Sequence, residues 1–222
     1  MAISKAERLK KSKTPARDAR FGDRLPQGQV LTERFPILTV GDTPIYDDLS
    51  KWDLKIFGEI NEEKVFTFED ILALPQKKVV CDVHCVTRWS KFDNEFEGVL
   101  FKDLLNHFEI KPEAKYVVVH GDYDYQTNLP LEDLLKDDII LAHSYNGKAL
   151  TEKHGYPLRL VVPHLYFWKS AKWIRGIEFL KENRNGYWEQ NGFHYYGDPY
   201  KEQRFSGEEF ELKNFKDRDF DY

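Results

Sequence analysis

The chain is short of several things. It has two cysteines and one methionine in 222 residues, so no disulfide framework can hold the fold together, and a reducing cytoplasm is the expected setting. No run of 18 or more apolar residues occurs, which leaves no candidate transmembrane helix. The segment from Met1 to Lys11 lacks both an apolar stretch and a twin-arginine pair, so no secretory signal is expected. An excess of positive charge is also missing. The formal net charge of −5 argues against a general nucleic-acid binder.

The chain does have aromatic residues, with 5 Trp, 12 Tyr and 16 Phe. Rings bury large areas per residue and can support a compact, loop-rich fold. Hydrophobic residues make up 41% and charged residues 32%, a globular balance rather than a disordered one. Residues 1–24 carry eight Lys/Arg against three Asp/Glu and read as a flexible basic arm. Residues 25–205 read as one domain, and 206–222 as an acidic and aromatic tail.

Trp52 to Gly58 alternates apolar and polar residues, as a half-buried strand does. Thr67 and Asp70 have capping-box spacing and start a short helix that Pro75 stops. Strands are expected over Lys77–Val83, Tyr116–His120, Ile139–Tyr145, Pro157–Pro163 and Trp173–Leu180. Gly98–Phe108 has helical apolar spacing, Leu131–Leu135 reads as a short helix, and Asn146-Gly147 reads as a turn. Strands dominate without βαβ alternation, so the class is α+β: mostly mixed β-sheet with short helices.

The most unusual short stretch runs from Cys81 through Asp82, Val83, His84, Cys85, Val86, Thr87 and Arg88 to Trp89 and Ser90. Zinc is one reading of it. In an extended segment, however, Cys81 and Cys85 would lie roughly 13 Å apart at ~3.3 Å per residue, too far to share one ion. A thiol nucleophile is another, with His84 or Arg88 lowering the pKa of Cys85. A third is a lone thiolate on a soft metal that brings its own ligands. Cys81, within a Val-rich run, reads as a small core residue.

Two segments then carry a resemblance. Cys85-Val-Thr-Arg-Trp89-Ser90, followed by Glu97-Gly98-Val99, resembles the metal-ligating segment of the sulfite oxidase superfamily. That family includes sulfite oxidases, the molybdenum domain of eukaryotic nitrate reductases and the catalytic subunit of bacterial methionine-sulfoxide reductase. His154-Gly155-Tyr156-Pro157-Leu158-Arg159, ending at Pro163 and followed by Lys169-Ser170-Ala171-Lys172-Trp173-Ile174, is similar to the family pattern H-G-x-P-x-R-h-h-h-P…S-x-K-W. Looser matches are residues 35–41, similar to a cofactor-covering segment, and residues 192–204, similar to the tail of bacterial members.

The resemblance implies a sulfite-oxidase-like catalytic-domain fold and a molybdenum–molybdopterin cofactor. Cys85 would be the metal ligand. Phe35, His120, His154, Arg159, Ser170, Ala171 and Lys172 would be cofactor contacts, and Arg88 would steer substrate. A cation such as Arg159 within an apolar strand suits an anionic partner. The implied activity moves an oxygen atom between water and a small substrate. A separate electron-transfer protein is implied too, because no second cofactor motif occurs. Sulfite oxidases follow their Cys with Gly-Asn-Arg, whereas Val-Thr-Arg stands here, so an S-oxide or N-oxide is expected in preference to sulfite. His164 and Trp168 are placed to line the pocket, and Trp188, Tyr195 and Tyr196 to pack the core or rim. A molybdopterin carrier without turnover and a zinc-binding structural domain stay open.

Overall fold

The computed structural model describes residues 8–10, 14–16 and 18–206. Most of the C-terminal tail and part of the basic arm therefore lie outside the described residues. Two mixed sheets form the body. One is six-stranded, in the order β1 (Val30–Leu31), β5 (Trp89–Leu100), β8 (Ile140–Tyr145), β10 (Arg159–Val161), with β4 (Gln76–His84) on β5 and β9 (Lys148–Ala149) on β8. The other is five-stranded, in the order β3 (Lys64–Thr67), β2 (Asp53–Gly58), β11 (Ile174–Leu180), β6 (Tyr116–Gly121), β7 (Gln126–Pro130). The β1–β5 and β2–β11 pairs are parallel and the rest antiparallel.

The α-helices are short: α1 (Phe68–Ala73), α2 (Phe101–Leu104), α3 (Leu131–Leu134) and α4 (Tyr187–Gln190). The expected capping box on α1 is present. Asp70 N donates to Thr67 Oγ1 at 3.1 Å and Thr67 N to Asp70 Oδ2 at 2.8 Å. The Asn146-Gly147 turn is present as well, both residues with positive φ as a tight hairpin between β8 and β9 requires.

The helical reading of Gly98–Phe108 needs correction. Gly98, Val99 and Leu100 finish β5, and helix begins only at Phe101. The cause is non-local, because β5 pairs with both β4 and β8. A Cβ on Gly98 would stand 2.0 Å from Leu141 O, so the glycine exists to let β8 approach. Strands β3, β7 and β9, absent from the sequence reading, are short and lack clear alternation.

One large cluster joins the sheets: Leu54, Ile56, Val117, Ile177 and Phe179 from the five-stranded sheet meet Val99, Leu141 and Leu160 from the other. A separate aromatic cluster gathers Cys85, Val86, Tyr166, Trp168, Trp188 and Phe193. No described helix is long and apolar enough to cross a membrane. Residues 18–24 of the basic arm touch the domain, where Arg24 bridges Asp82 (2.6 Å) and also pairs with Asp93.

Candidate active site

Strands β4 and β5 are joined by a tight loop, and Cys85 is its first residue. Cys85 N donates to Trp89 O and Arg88 N to Cys85 O, both at 2.9 Å. Arg88 takes φ 77°, completing the four-residue loop Cys85–Arg88 with a left-handed last position. Two side chains fix this loop from outside. Gln29 Nε2 donates to Cys85 O at 3.0 Å, and the buried Arg204 donates to Val86 O at 2.9 Å. Cys85 is 6% exposed, and its Sγ lies 3.1 Å from Thr87 Oγ1.

This loop opens on a cavity that is partly open to solvent. Its walls come from distant parts of the chain: residues 35–40, Cys85, Val86, Thr87 and Trp89, Tyr125, Lys153 and His154, Arg159, Phe167, Trp168, Ser170, Lys172 and Trp173, and Trp188 and Phe193. Four of these, Lys153, His154, Arg159 and Lys172, are cationic or can become so, and no aspartate or glutamate lines the cavity.

Arg159 is 2% exposed. It donates to His154 O at 2.8 Å and Ser170 O at 3.1 Å, its guanidinium lies 4.4 Å from the Phe167 ring centroid, and its buried Nε has no acceptor. Burial pulls its pKa down to about 9. Lys172 Nζ donates to Lys153 O at 2.9 Å and sits over the Trp173 ring. Burial, reinforced by the charge of Arg159, brings its pKa to about 7. Neither cation has a carboxylate partner among the described residues. His154 stacks on Phe35 at 4.5 Å and its Nε2 meets Phe35 O at 3.2 Å, while burial lowers its pKa. Ser170 Oγ accepts from Val162 N at 2.9 Å and keeps its own proton to donate. A cluster of cationic donors facing a cavity without acids is a receptor for an anion.

Of the residues named from sequence, Cys85, Phe35, His154, Arg159, Ser170 and Lys172 line this one cavity, as do Trp89 and Trp168. Ala171 does not; it is buried beside them, and its carbonyl accepts from Leu160 N. Three more of the named residues lie outside this lining. His120 stands on β6, with Nε2 2.8 Å from Glu178 Oε2, outside the lining. His164 also faces away, to Asp133 at 3.1 Å. Arg88 is not among the lining residues, because the left-handed turn carries its Nη1 toward Gly28 O, 3.5 Å away.

The competing chemistries lose their geometry too. His84 Nδ1 lies 2.8 Å from Ser90 Oγ, and burial lowers its pKa to about 4, so it offers Cys85 no positive charge near neutral pH. Cys81 is held in β4, its thiol pushed up to about 12 by burial. No three potential ligands gather for a metal ion among the described residues. The sequence reading missed Thr87, Tyr125, Lys153, Phe167 and Phe193, and took Trp188 for packing alone. Thr87 and Phe193 sit in the matching segments without having been singled out there, and Tyr125, Lys153 and Phe167 sit in none; proximity in the fold is what assembles them.

Comparison with known proteins points the same way. Residues 40–188 match the family model described as oxidoreductase molybdopterin binding domain. The chain is 48% identical over 183 residues to a Bacillus subtilis protein named uncharacterized oxidoreductase YuiH, covering 82% of this chain and 92% of that one. It is 31% identical over 163 residues to the protein-methionine-sulfoxide reductase catalytic subunit MsrP of Campylobacter jejuni, covering 66% of this chain and 54% of that protein. It thus spans about half of the reductase's length. The solved structure of the sulfane dehydrogenase SoxCD from Paracoccus pantotrophus is similar with a TM-score of 0.57 and 29% identity, over 62% of this chain and 40% of that one.

Proposed function

From the premise that this chain belongs to the oxidoreductase molybdopterin binding domain family, in the sulfite oxidase superfamily, we propose that it transfers an oxygen atom to or from a small neutral S-oxide or N-oxide in preference to sulfite. One observation carries the reading: the Cys85 thiol shares its cavity with Arg159, Lys172, Lys153 and His154, and with no acidic side chain.

The residues present fit a molybdenum–molybdopterin group. Cys85 would give the metal its protein thiolate. Arg159, Lys172 and His154 would hold the phosphate and the polar pterin, for which the acceptorless Nε of Arg159 and the hydroxyl proton of Ser170 are suitable donors. When bound, the cofactor supplies two-electron redox chemistry and exchange of an oxygen atom with water. The chain orients that group through the braced Cys85 loop and keeps bulk water away with the rings of Phe35, Trp89, Phe167, Trp168 and Trp188.

Substrate choice follows from charge. Arg159, Lys172 and His154 would be engaged with the cofactor, which leaves Lys153, and Arg88 lies outside the lining. A sulfite dianion would be desolvated with Lys153 alone left to receive it, whereas a weakly polar oxide loses little on entering an aromatic site. Similarity to a methionine-sulfoxide reductase subunit supports the S-oxide reading. Electrons would come from a separate redox protein.

The test is turnover by Mo-loaded protein with artificial electron donors and acceptors. Reduction of methyl sulfoxides or N-oxides is expected, with sulfite oxidation below a kcat/KM of roughly 10⁴ M⁻¹s⁻¹. Efficient sulfite oxidation without oxide reduction would overturn the substrate reading. Bound molybdenum with no turnover of either class would favour a carrier.

A further inference from the structure

Behind the cavity wall lies a charge pair that the chemistry above does not use. Lys169 and Glu189 have side chains 0% and 1% exposed, with Nζ 2.6 Å from Oε1. Lys169 Nζ also reaches Asn128 O and Asn128 Oδ1, both at 2.9 Å, and Tyr195 O at 2.7 Å. Glu189 Oε1 accepts from the indole Nε1 of Trp168 at 2.8 Å, while its Oε2 is buried without a partner.

Two buried charges cost several kcal/mol each to desolvate, and apolar residues often replace such a pair without loss of stability. Stability alone therefore does not account for it, but the position of the indole does. Trp168 lines the cavity and belongs to the same cluster as Cys85. Its ring stacks on Tyr166 at 5.3 Å and meets Phe193 at 5.2 Å. A Cβ on Gly197 would come within 2.7 Å of the Trp168 ring, so that glycine is a cradle cut to the indole. Glu189 follows Trp188, a second lining residue stacked on Phe193 at 4.7 Å. Lys169 follows Trp168 within a single 3₁₀ turn, Phe167–Lys169, which sends successive side chains in different directions. One ion pair thus ties β7, α4 and residues 167–169 together and ends on the indole N–H.

We propose that Glu189, neutralised by Lys169, is the positioning residue for Trp168, and that it holds the indole as a preformed substrate wall beside Cys85. The idea rests on the reading of this cavity as the cofactor and substrate site. The carboxylate is the acceptor that orients the ring, and the ammonium lets a carboxylate stand there at all. Fixing the wall in advance lowers the ordering cost of binding a small oxide.

The test compares Lys169→Met/Glu189→Gln with Lys169→Met/Glu189→Leu in cofactor-loaded enzyme. Both doubles remove both charges, so neither leaves an uncompensated ion in the core. Only the Gln variant keeps an acceptor for the indole N–H. Ultraviolet resonance Raman, differenced against Trp168→Phe, reads the hydrogen bond at that indole. The Leu variant is expected to lose the bonded signature and to raise KM for a methyl sulfoxide about tenfold, with kcat changed less than about twofold. The Gln variant should restore the signature and most of KM. If both variants keep the wild-type signature and KM, or shift them equally, the pair is structural and the proposal falls. If wild type turns over no oxide, the substrate reading has failed, and the Raman contrast between the doubles still decides the positioning.

Discussion

Arg159 and Lys172 face the same cavity, yet burial treats them differently. Arg159, with a pKa of about 9, remains a cation at neutral pH, whereas Lys172, at about 7, is half neutral there. With protein groups alone around it, Lys172 must take up a proton to meet an anionic phosphate. Retention of the cofactor should therefore weaken as pH rises from about 6 to 9, by up to tenfold per pH unit once Lys172 is neutral. Lys172→Arg should flatten this dependence, because a guanidinium stays charged. Pterin released and oxidised to its fluorescent form measures it; an unchanged pH slope in Lys172→Arg would place the titration elsewhere. Arg159→Ala and Lys172→Ala should lower pterin content while activity per bound molybdenum holds. Each removes a charge-assisted contact worth on the order of 1.5–3 kcal/mol. Full occupancy with lost turnover would instead make them substrate contacts. Arg159 was named from the resemblance of its whole segment; a cation within an apolar strand suits an anionic partner but would by itself also suit a structural ion pair. The direction of Arg88 was not legible, because a left-handed turn set by the hairpin carries its Nη1 toward Gly28 O.

Among the elements, those governed by local chemistry were readable. The capping box of α1 and the alternation of β2 depend on residues a few positions apart. Strand β5 was not readable, since its last residues carry helical spacing and only pairing with β4 and β8 makes them strand. Gly98 marks that override. Gly98→Ala would drive a methyl to 2.0 Å from Leu141 O and 2.8 Å from Ala142 Cα, forcing the strands apart. A loss on the order of 3 kcal/mol in denaturant unfolding is expected. Near-neutral stability would mean that β5 and β8 do not sit in this register. The hairpin loop that presents Cys85 shows the same division. Its cysteine and flanking residues could be recognised in sequence, but its bracing by Gln29 and Arg204 joins residues 56 and 118 positions away and could not.

At the scale of the whole molecule, the cavity draws on residues from Phe35 to Phe193, so the site exists only once both sheets and their connecting segments are in place. The motif residues of the two conspicuous segments converge there, while His120, taken from a loose likeness to the family, and His164, taken from its place between the motifs, meet carboxylates elsewhere. The Lys169–Glu189 pair joins two segments 20 residues apart and carries no local pattern, which is why only the fold reveals it. The central claim is that this assembly holds molybdenum–molybdopterin with Cys85 as the single protein thiolate. X-ray absorption at the molybdenum edge tests it most directly, on wild type, Cys85→Ser and Cys81→Ser. Three sulfur ligands are expected in wild type and in Cys81→Ser, two from the pterin and one from the protein, and two in Cys85→Ser, with redox activity lost in that variant alone. An unchanged sulfur count in Cys85→Ser, or an equal loss in both variants, would contradict the account.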